Sequence, residues 1–185
     1  MTKILFATAV LLILFSCEQS TIPEEREEAK IQRIPGWELL KEEDYSIQYP
    51  KDWELSEKGQ MGTKFLLFSE LEDENDTFSD NVNLIIKDFG SNGIDLDQYT
   101  EISVKQVKRM MTNCTIYENK RIKNSEGEYQ KLIYAADQRT LRLKFEQCYW
   151  IQNDRAYVLT LTCEESKFSR YKEIGEKIMN TFALR

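Results

Sequence analysis

The sequence predicts an α+β domain in which helices pack on an antiparallel β-sheet. Apolar and polar residues alternate at Tyr45, Ile47 and Tyr49, the pattern of a half-buried strand. Four later strands are joined by short turn-forming segments, so neighbouring strands must run antiparallel. Two other segments carry apolar residues at helical spacing. Strands and helices grouped in this way are typical of the α+β class, and the predicted order is βββαββββα.

The elements can be placed along the chain from these patterns. Before the first helix, strands are predicted at residues 45–49 (continuing at 53–55), 63–69 and 82–89, with an acidic loop at residues 70–81. A helix begins after Asp95, which forms a capping box with Gln98, and ends near Asn113. A last helix begins near Ser166. Between the two helices, strands are predicted at residues 115–122, 129–136, 141–151 and 156–163.

Composition excludes several classes of function. The 185 residues include 25 Lys and Arg against 32 Asp and Glu, a net charge of −7, and no histidine. The lack of histidine removes imidazole acid–base catalysis, Ser-His-Asp and Cys-His nucleophilic sites, and imidazole metal ligands. Nucleic-acid binding depends on clustered basic residues, which an acidic chain does not favour. We therefore expect no catalytic residues, no cofactor, no metal site and no nucleic-acid partner.

The N-terminus has the pattern of an export signal. Lys3 precedes an apolar run over residues 4–15, and twelve helical residues reach only about 18 Å, too short for a ~30 Å hydrocarbon core. The run ends in Leu-Phe-Ser-Cys at residues 14–17, which resembles a bacterial lipobox. This resemblance implies a lipoprotein signal peptide at residues 1–16 and lipidation of Cys17. The alternative is an ordinary cleaved signal in which Cys17 is incidental.

The segment after Cys17 has the composition of a tether. Residues 18–36 are rich in Glu, Lys and Arg and carry no strand pattern. Fully extended, such a segment spans at most about 65 Å. The sequence thus divides into the signal peptide (1–16), the lipidated cysteine and charged tether (17–36), and a folded domain (37–185).

Several stretches of that domain resemble the PsbP-related family. Residues 45–53 (YSIQYPKDW) resemble its opening strand and turn, and residues 145–150 (FEQCYW) with 156–162 (AYVLTLT) resemble its long C-terminal hairpin. Further likeness lies at residues 80–83 (DNVN), 96–99 (LDQY) and 171–182. The resemblance implies an α/β/α sandwich with an antiparallel sheet. Members range from extrinsic photosystem subunits to bacterial envelope lipoproteins, and they are not generally enzymes. No residue set of the photosystem subunits carries over to this chain, because no matching motif is present.

Three cysteines remain besides Cys17. If Asn153 and Asp154 form the turn of the last hairpin, Cys148 and Cys163 lie four strand positions apart, about 13 Å. A disulfide needs Cα atoms within ~7 Å, so this pair is disfavoured. The sequence favours buried free thiols, with a disulfide of Cys114 or a reactive thiol as alternatives.

Two other features admit a functional interpretation beside a structural one. The acidic loop at residues 70–80 could offer oxygen ligands to Ca²⁺, but it lacks the glycine and glutamate positions of an EF-hand, which favours a solvated loop. Tyr149, Trp150 and Tyr157 flank the last hairpin turn. They could anchor a partner, although core packing is the favoured interpretation.

These observations favour a membrane-tethered, non-enzymatic binding or accessory module of a bacterial cell envelope. The lipid on Cys17 would hold it at a membrane, and a protein partner would be its target. The alternative is a carrier of a small apolar ligand or a cation, held in a pocket between sheet and helix. A hydrolase is the least favoured hypothesis, because its catalytic residues would have to be drawn from Asp, Glu, Ser and Lys alone.

Overall fold

A computed structural model describes residues 31–124 and 127–185, in which Arg33–Arg185 form one compact unit. The predicted signal peptide, Cys17 and most of the predicted tether lie outside the described residues. Within the described part, no helix is both long and apolar enough to cross a bilayer.

The described residues form ten strands and two α-helices. The helices are α1 (Leu96–Met110) and α2 (Phe168–Met179). The strands are β1 (Trp37–Lys41), β2 (Tyr45–Pro50), β3 (Glu54–Ser56), β4 (Thr63–Phe68), β5 (Asn81–Asp88), β6 (Thr112–Asn124), β7 (Gly127–Gln138), β8 (Leu141–Gln152), β9 (Arg155–Glu164) and β10 (Ala183–Leu184). The α+β class is confirmed, and the predicted elements occur in the predicted order.

The strands form two sheets, so the prediction of one sheet was wrong. A seven-stranded antiparallel sheet has the order β3-β4-β5-β9-β8-β7-β6, and a three-stranded one has the order β1-β2-β10. Strands β1 and β10 were not predicted. The small sheet exists because the chain returns after α2 to pair Ala183 with Ser46 on β2, a contact between distant parts of the sequence.

Strand β2 is buried along its whole length, although its alternation predicted a half-buried strand. Its polar residues find partners inside the fold. The Gln48 backbone N–H donates to the Thr181 hydroxyl (2.8 Å), and the Gln48 side-chain carbonyl accepts from the Ile34 backbone N–H (2.9 Å). Buried polar groups are tolerated when they are hydrogen-bonded in this way.

The two helices cover opposite faces of the large sheet. Successive strand residues point to alternate faces, so in β9 Leu159 and Leu161 pack in one core and Val158 in the other. The first core includes residues of α2 and the small sheet, whereas the second includes Leu96 and Tyr99 of α1. This is the α/β/α layering that the resemblance implied.

The last hairpin has the predicted register. Asn153 and Asp154 both have positive φ (51° and 57°), as a two-residue type I′ turn requires. Gln152 consequently pairs with Arg155, Cys148 with Leu159, and Cys163 with Lys144. Cys148 and Cys163 are free and buried, as predicted, whereas Cys114 is free and only half-buried.

Candidate binding site beneath helix α1

Helix α1 is anchored to the sheet by its N-terminal half. Asp95 accepts from the Gln98 backbone N–H (2.8 Å), and the Gln98 side chain accepts from the Asp95 backbone N–H (3.1 Å), which completes the predicted capping box. Leu96 and Tyr99 are buried, and the Tyr99 ring packs edge-on against Tyr149 of β8. The first turns of α1 are therefore fixed.

The C-terminal half of α1 is less closely packed. Val107 is only half-buried, and 65% of the Met110 surface is exposed. Beneath this half lies a cavity of about 240 Å³, which we call the α1 cavity. Ser103, Gln106, Val107, Met110 and Met111 line its helix side, and Ile85, Lys87, Tyr99, Tyr134, Gln147, Tyr149 and Val158 line the rest.

A second cavity of about 370 Å³ continues along the same face of the sheet. The two cavities share Ile85, Tyr134 and Gln147, so they adjoin. Apolar side chains of the second cavity include Leu66, Phe68, Phe78, Leu143 and Phe145. The uncovered face of the sheet thus forms an apolar trough that begins under α1.

A short polar chain crosses the floor of the α1 cavity. The Tyr149 hydroxyl donates to the Gln147 side-chain carbonyl (2.5 Å), and the Gln147 amide donates to the Thr160 hydroxyl (3.2 Å). Burial raises the pKa of Tyr149 and that of Tyr99, so both phenols stay protonated near neutral pH. They can orient a bound group by hydrogen bonds but cannot act as bases.

The lining defines what the cavity can do. Among its lining residues Lys87 is the charged one, and the others are apolar or neutral polar. Apolar walls with a few placed hydrogen-bonding groups are typical of small-molecule and side-chain binding sites. This arrangement is suited to holding an apolar group.

The sequence predicted a pocket between sheet and helix but not these residues. Gln147 and Tyr149 point from β8 to the same face of the sheet, the face that α1 covers. The polar residue Gln147 on that face was the signal available in the sequence. The space itself depends on how far α1 stands from the sheet, which no local pattern specifies.

The remaining cysteines do not form a reactive site. Burial raises the pKa of the Cys148, Cys163 and Cys114 thiols. The thiolate is the nucleophile, so raised pKa values leave all three unreactive near neutral pH.

The acidic loop is held by ion pairs. The Asp76 carboxylate forms a salt bridge with the Lys167 ammonium group (3.0 Å), and Glu72 forms one with Arg170 (2.9 Å). Backbone hydrogen bonds from Glu72 and Phe78, together with Lys167, lower the pKa of Asp76. In the part of the chain that the structure describes, no three acidic or cysteine side chains converge as a metal site would require. The loop is exposed over most of its length, as the sequence favoured, and ion pairs also tie it to residues around α2.

The three aromatic residues of the last hairpin pack in the cores, which is the interpretation that the sequence favoured. Tyr149 and Tyr157 are 1% exposed. Trp150 is half-buried and stacks on Tyr129, with ring centroids 5.1 Å apart, and it also packs against Phe182.

Together, these elements define a small α+β sandwich domain with a cavity beneath α1. The chain belongs to the PsbP family: the family model for PsbP matches residues 40–184. The resemblance found in the sequence is thereby confirmed. A search of curated proteins gave no match.

Solved structures share the fold at low sequence identity. The solution structure of cyanobacterial PsbP (CyanoP) from Synechocystis sp. PCC 6803 is 13% identical, with a TM-score of 0.58, and the match covers 83% of this chain and 95% of CyanoP. LpqN of Mycobacterium tuberculosis is 11% identical, with a TM-score of 0.57, and the match covers 89% of this chain and 96% of LpqN. PA94 of Pseudomonas aeruginosa is 12% identical, with a TM-score of 0.55 and coverage of 78% and 94%.

Proposed function

We propose that this chain is a membrane-tethered, non-enzymatic accessory module of a bacterial cell envelope that works by binding a protein partner. The observation that carries the proposal is the α1 cavity, whose apolar walls and neutral polar floor suit an apolar side chain of a partner. PsbP-family proteins are generally accessory proteins rather than enzymes. LpqN, which shares the fold, is involved in cell envelope biogenesis, and this supports placing the present chain in an envelope.

The tether supplies the second part of the proposal. Lipid on Cys17 would hold the chain at a membrane surface, and the charged residues that follow would let the domain reach a partner tens of ångströms away. A half-exposed helix end over an apolar cavity provides the contact surface. Buried apolar anchors in such pockets supply most of the energy of protein interfaces.

The test is a crosslinking experiment in cells, followed by affinity capture and mass spectrometry. The tagged full chain is compared with a deletion that keeps only residues 1–36 and with Val107→Trp, which fills the α1 cavity. Lys105→Trp is the matched control, because Lys105 lies on the exposed side of the same helix. We expect one protein to be captured by the full chain and the control but lost from the deletion and from Val107→Trp. Recovery of the same bulk envelope proteins in all four samples would refute the proposal.

A second candidate function is favoured by the size of the trough. The combined volume of the α1 cavity and its 370 Å³ continuation falls within the ~300–1,000 Å³ of small-molecule sites. A carrier of a small apolar ligand would use the same residues. Native mass spectrometry of the purified full chain distinguishes the two functions. A carrier shows a small-molecule adduct that Val107→Trp removes, whereas an adaptor shows none.

A further inference from the structure

A polar cleft lies on the other face of the large sheet, beside the C-terminal end of α2. It has a volume of about 280 Å³ and is separate from the α1 cavity. Lys131 of β7 and Glu146 of β8 form its charged wall, together with Glu176 of α2. Tyr129, Trp150 and Phe182 contribute aromatic side chains.

The charged groups of this cleft are incompletely matched. The Lys131 ammonium contacts Oε1 of Glu146 (2.6 Å) and Oε1 of Glu176 (2.8 Å), so one half-buried cation pairs with two carboxylates. Lys172 is the other cation near them: its Nζ lies 3.8 Å from Oε1 of Glu176, and its side chain is 46% exposed. Among the residues that line the cleft, one ammonium group thus faces two carboxyl groups, and burial raises the pKa of Glu146.

One carboxylate oxygen has no partner at all. Only 2% of the Glu146 surface is exposed, and its Oε2 accepts no hydrogen bond from the residues that the structure describes. A buried acceptor without a donor is costly, by about 1–3 kcal/mol. Both lysine contacts to Glu176 also use Oε1, which leaves its Oε2 available as a second acceptor.

The surroundings favour a positive charge at this point. Met179 and Asn180 place the C-terminal end of α2 at the cleft, and the C-terminal end of a helix carries a partial negative charge. The Tyr129 and Trp150 rings are stacked, with centroids 5.1 Å apart, and Trp150 lies 5.1 Å from Phe182. Aromatic faces attract cations, most strongly when the cation is desolvated.

We propose that this cleft binds a small primary amine in its protonated form. The ammonium group would donate hydrogen bonds to Oε2 of Glu146 and Oε2 of Glu176, and the carbon chain would lie against the aromatic side chains. The ligand would supply hydrogen-bond donors to the two carboxylate oxygens that Lys131 and Lys172 do not contact. This inference does not depend on the function proposed for the α1 cavity, because the two sites lie on opposite faces of the sheet and share no residue.

The test is titration calorimetry of the full chain in detergent micelles with butylammonium, together with its intrinsic tryptophan fluorescence. Two related probes separate the contributions: 1-butanol has the same chain without charge, and tetramethylammonium has the charge without an N–H donor. We expect butylammonium to bind, 1-butanol to give no heat of binding, and tetramethylammonium to bind more weakly.

Variants test the residues. Glu146→Gln is expected to weaken butylammonium binding at least about ten-fold, as the loss of a charge-assisted hydrogen bond predicts. Glu173→Gln is the matched control, because Glu173 is exposed on α2, the helix that carries Glu176, and it should leave the affinity unchanged. Tyr129→Leu removes an aromatic wall without touching the ion pairs and should weaken binding about five-fold.

Three results would overturn the proposal. The first is that the folded chain does not bind butylammonium. The second is that 1-butanol binds as tightly as butylammonium, and the third is that Glu146→Gln retains full affinity for butylammonium. Tetramethylammonium binding as tight as butylammonium binding would exclude the role given to the two Oε2 atoms.

Discussion

At the scale of single residues, Asp80 is the clearest case of a group whose chemistry the fold has changed. Its side chain is 1% exposed, Oδ1 accepts from the Glu164 backbone N–H (3.3 Å), and Oδ2 has no hydrogen-bond partner. Burial raises the pKa of Asp80 to about 6, although the Glu164 hydrogen bond and Lys167 oppose the shift. Asp76 and Glu164 add like charge, which also raises it.

This raised pKa predicts a defined pH dependence of stability. The folded pKa lies above the unfolded one, so the contribution of Asp80 is fully favourable below about pH 4 and is lost as pH rises to about 6. Asp80→Asn keeps the acceptor and removes the titration. We expect it to raise the free energy of unfolding at pH 7 by up to about 3 kcal/mol, and to leave it little changed near pH 4.

Urea unfolding of the full chain at several pH values measures this difference. Asp52→Asn is the control, because Asp52 is exposed and its removal changes the net charge by the same amount. A difference between the wild type and Asp80→Asn that stays constant from pH 4 to pH 8 would contradict the prediction.

Some residue-level features could be predicted from the sequence and others could not. The pairing of Cys148 with Leu159 follows from the two-residue turn, because a hairpin turn determines every pair along its strands. The unpartnered Oε2 of Glu146 was missed. Lys131 and Glu146 do occupy the positions of their strands that face α2, and charged residues at those positions were a signal. Whether Glu176 joins this pair as a third charged group depends on where α2 lies.

At the scale of elements, local patterns succeeded where one segment carries its own signal. The capping box of α1 and the helical spacing of α2 are of this kind. Strand β1 has no clear alternation, and β10 has only two residues, so neither could be recognised. Both pair with β2: β1 is its neighbour in the sequence, whereas β10 reaches it from more than a hundred residues away.

The contact between α2 and the large sheet predicts one sensitive position. A Cβ atom added at Gly175 would lie 2.5 Å from Cδ2 of Leu161 and 2.8 Å from its Cδ1. Leu161 is fully buried, so it cannot move aside into solvent. Glycine thus allows α2 to approach β9 closely.

We expect Gly175→Ala to destabilise the domain by about 1–3 kcal/mol, even though alanine is the better helix former. Thermal unfolding followed by circular dichroism measures the change. Glu173→Ala introduces the same residue at an exposed position of α2 and should be close to neutral. If Gly175→Ala unfolds at or above the wild-type temperature, the close approach of α2 to β9 is refuted.

At the scale of the whole molecule, the large sheet separates two cavities of different chemistry. One face carries the apolar trough under α1, and the other carries the charged cleft beside α2. A single sheet can serve both because side chains of opposite parity are independent: Gln147 and Tyr149 face the trough, whereas Glu146 and Cys148 face the cleft. The division follows from the period-2 geometry of strands.

Membrane attachment is the whole-molecule property on which the proposed function depends most. Lipidation of Cys17 is a prediction from the lipobox-like residues 14–17. Each buried CH₂ of an acyl chain contributes ~0.8 kcal/mol, so several chains on one cysteine give durable attachment.

We expect Cys17→Ala to abolish lipid incorporation and membrane retention. Fractionation of cells after a carbonate wash, with labelled palmitate in the medium, measures both. Cys114→Ala, the control, should be retained and labelled like the wild type. A Cys17→Ala protein that is still processed and still resists the wash would show that Cys17 is incidental, and another means of attachment would then have to be found.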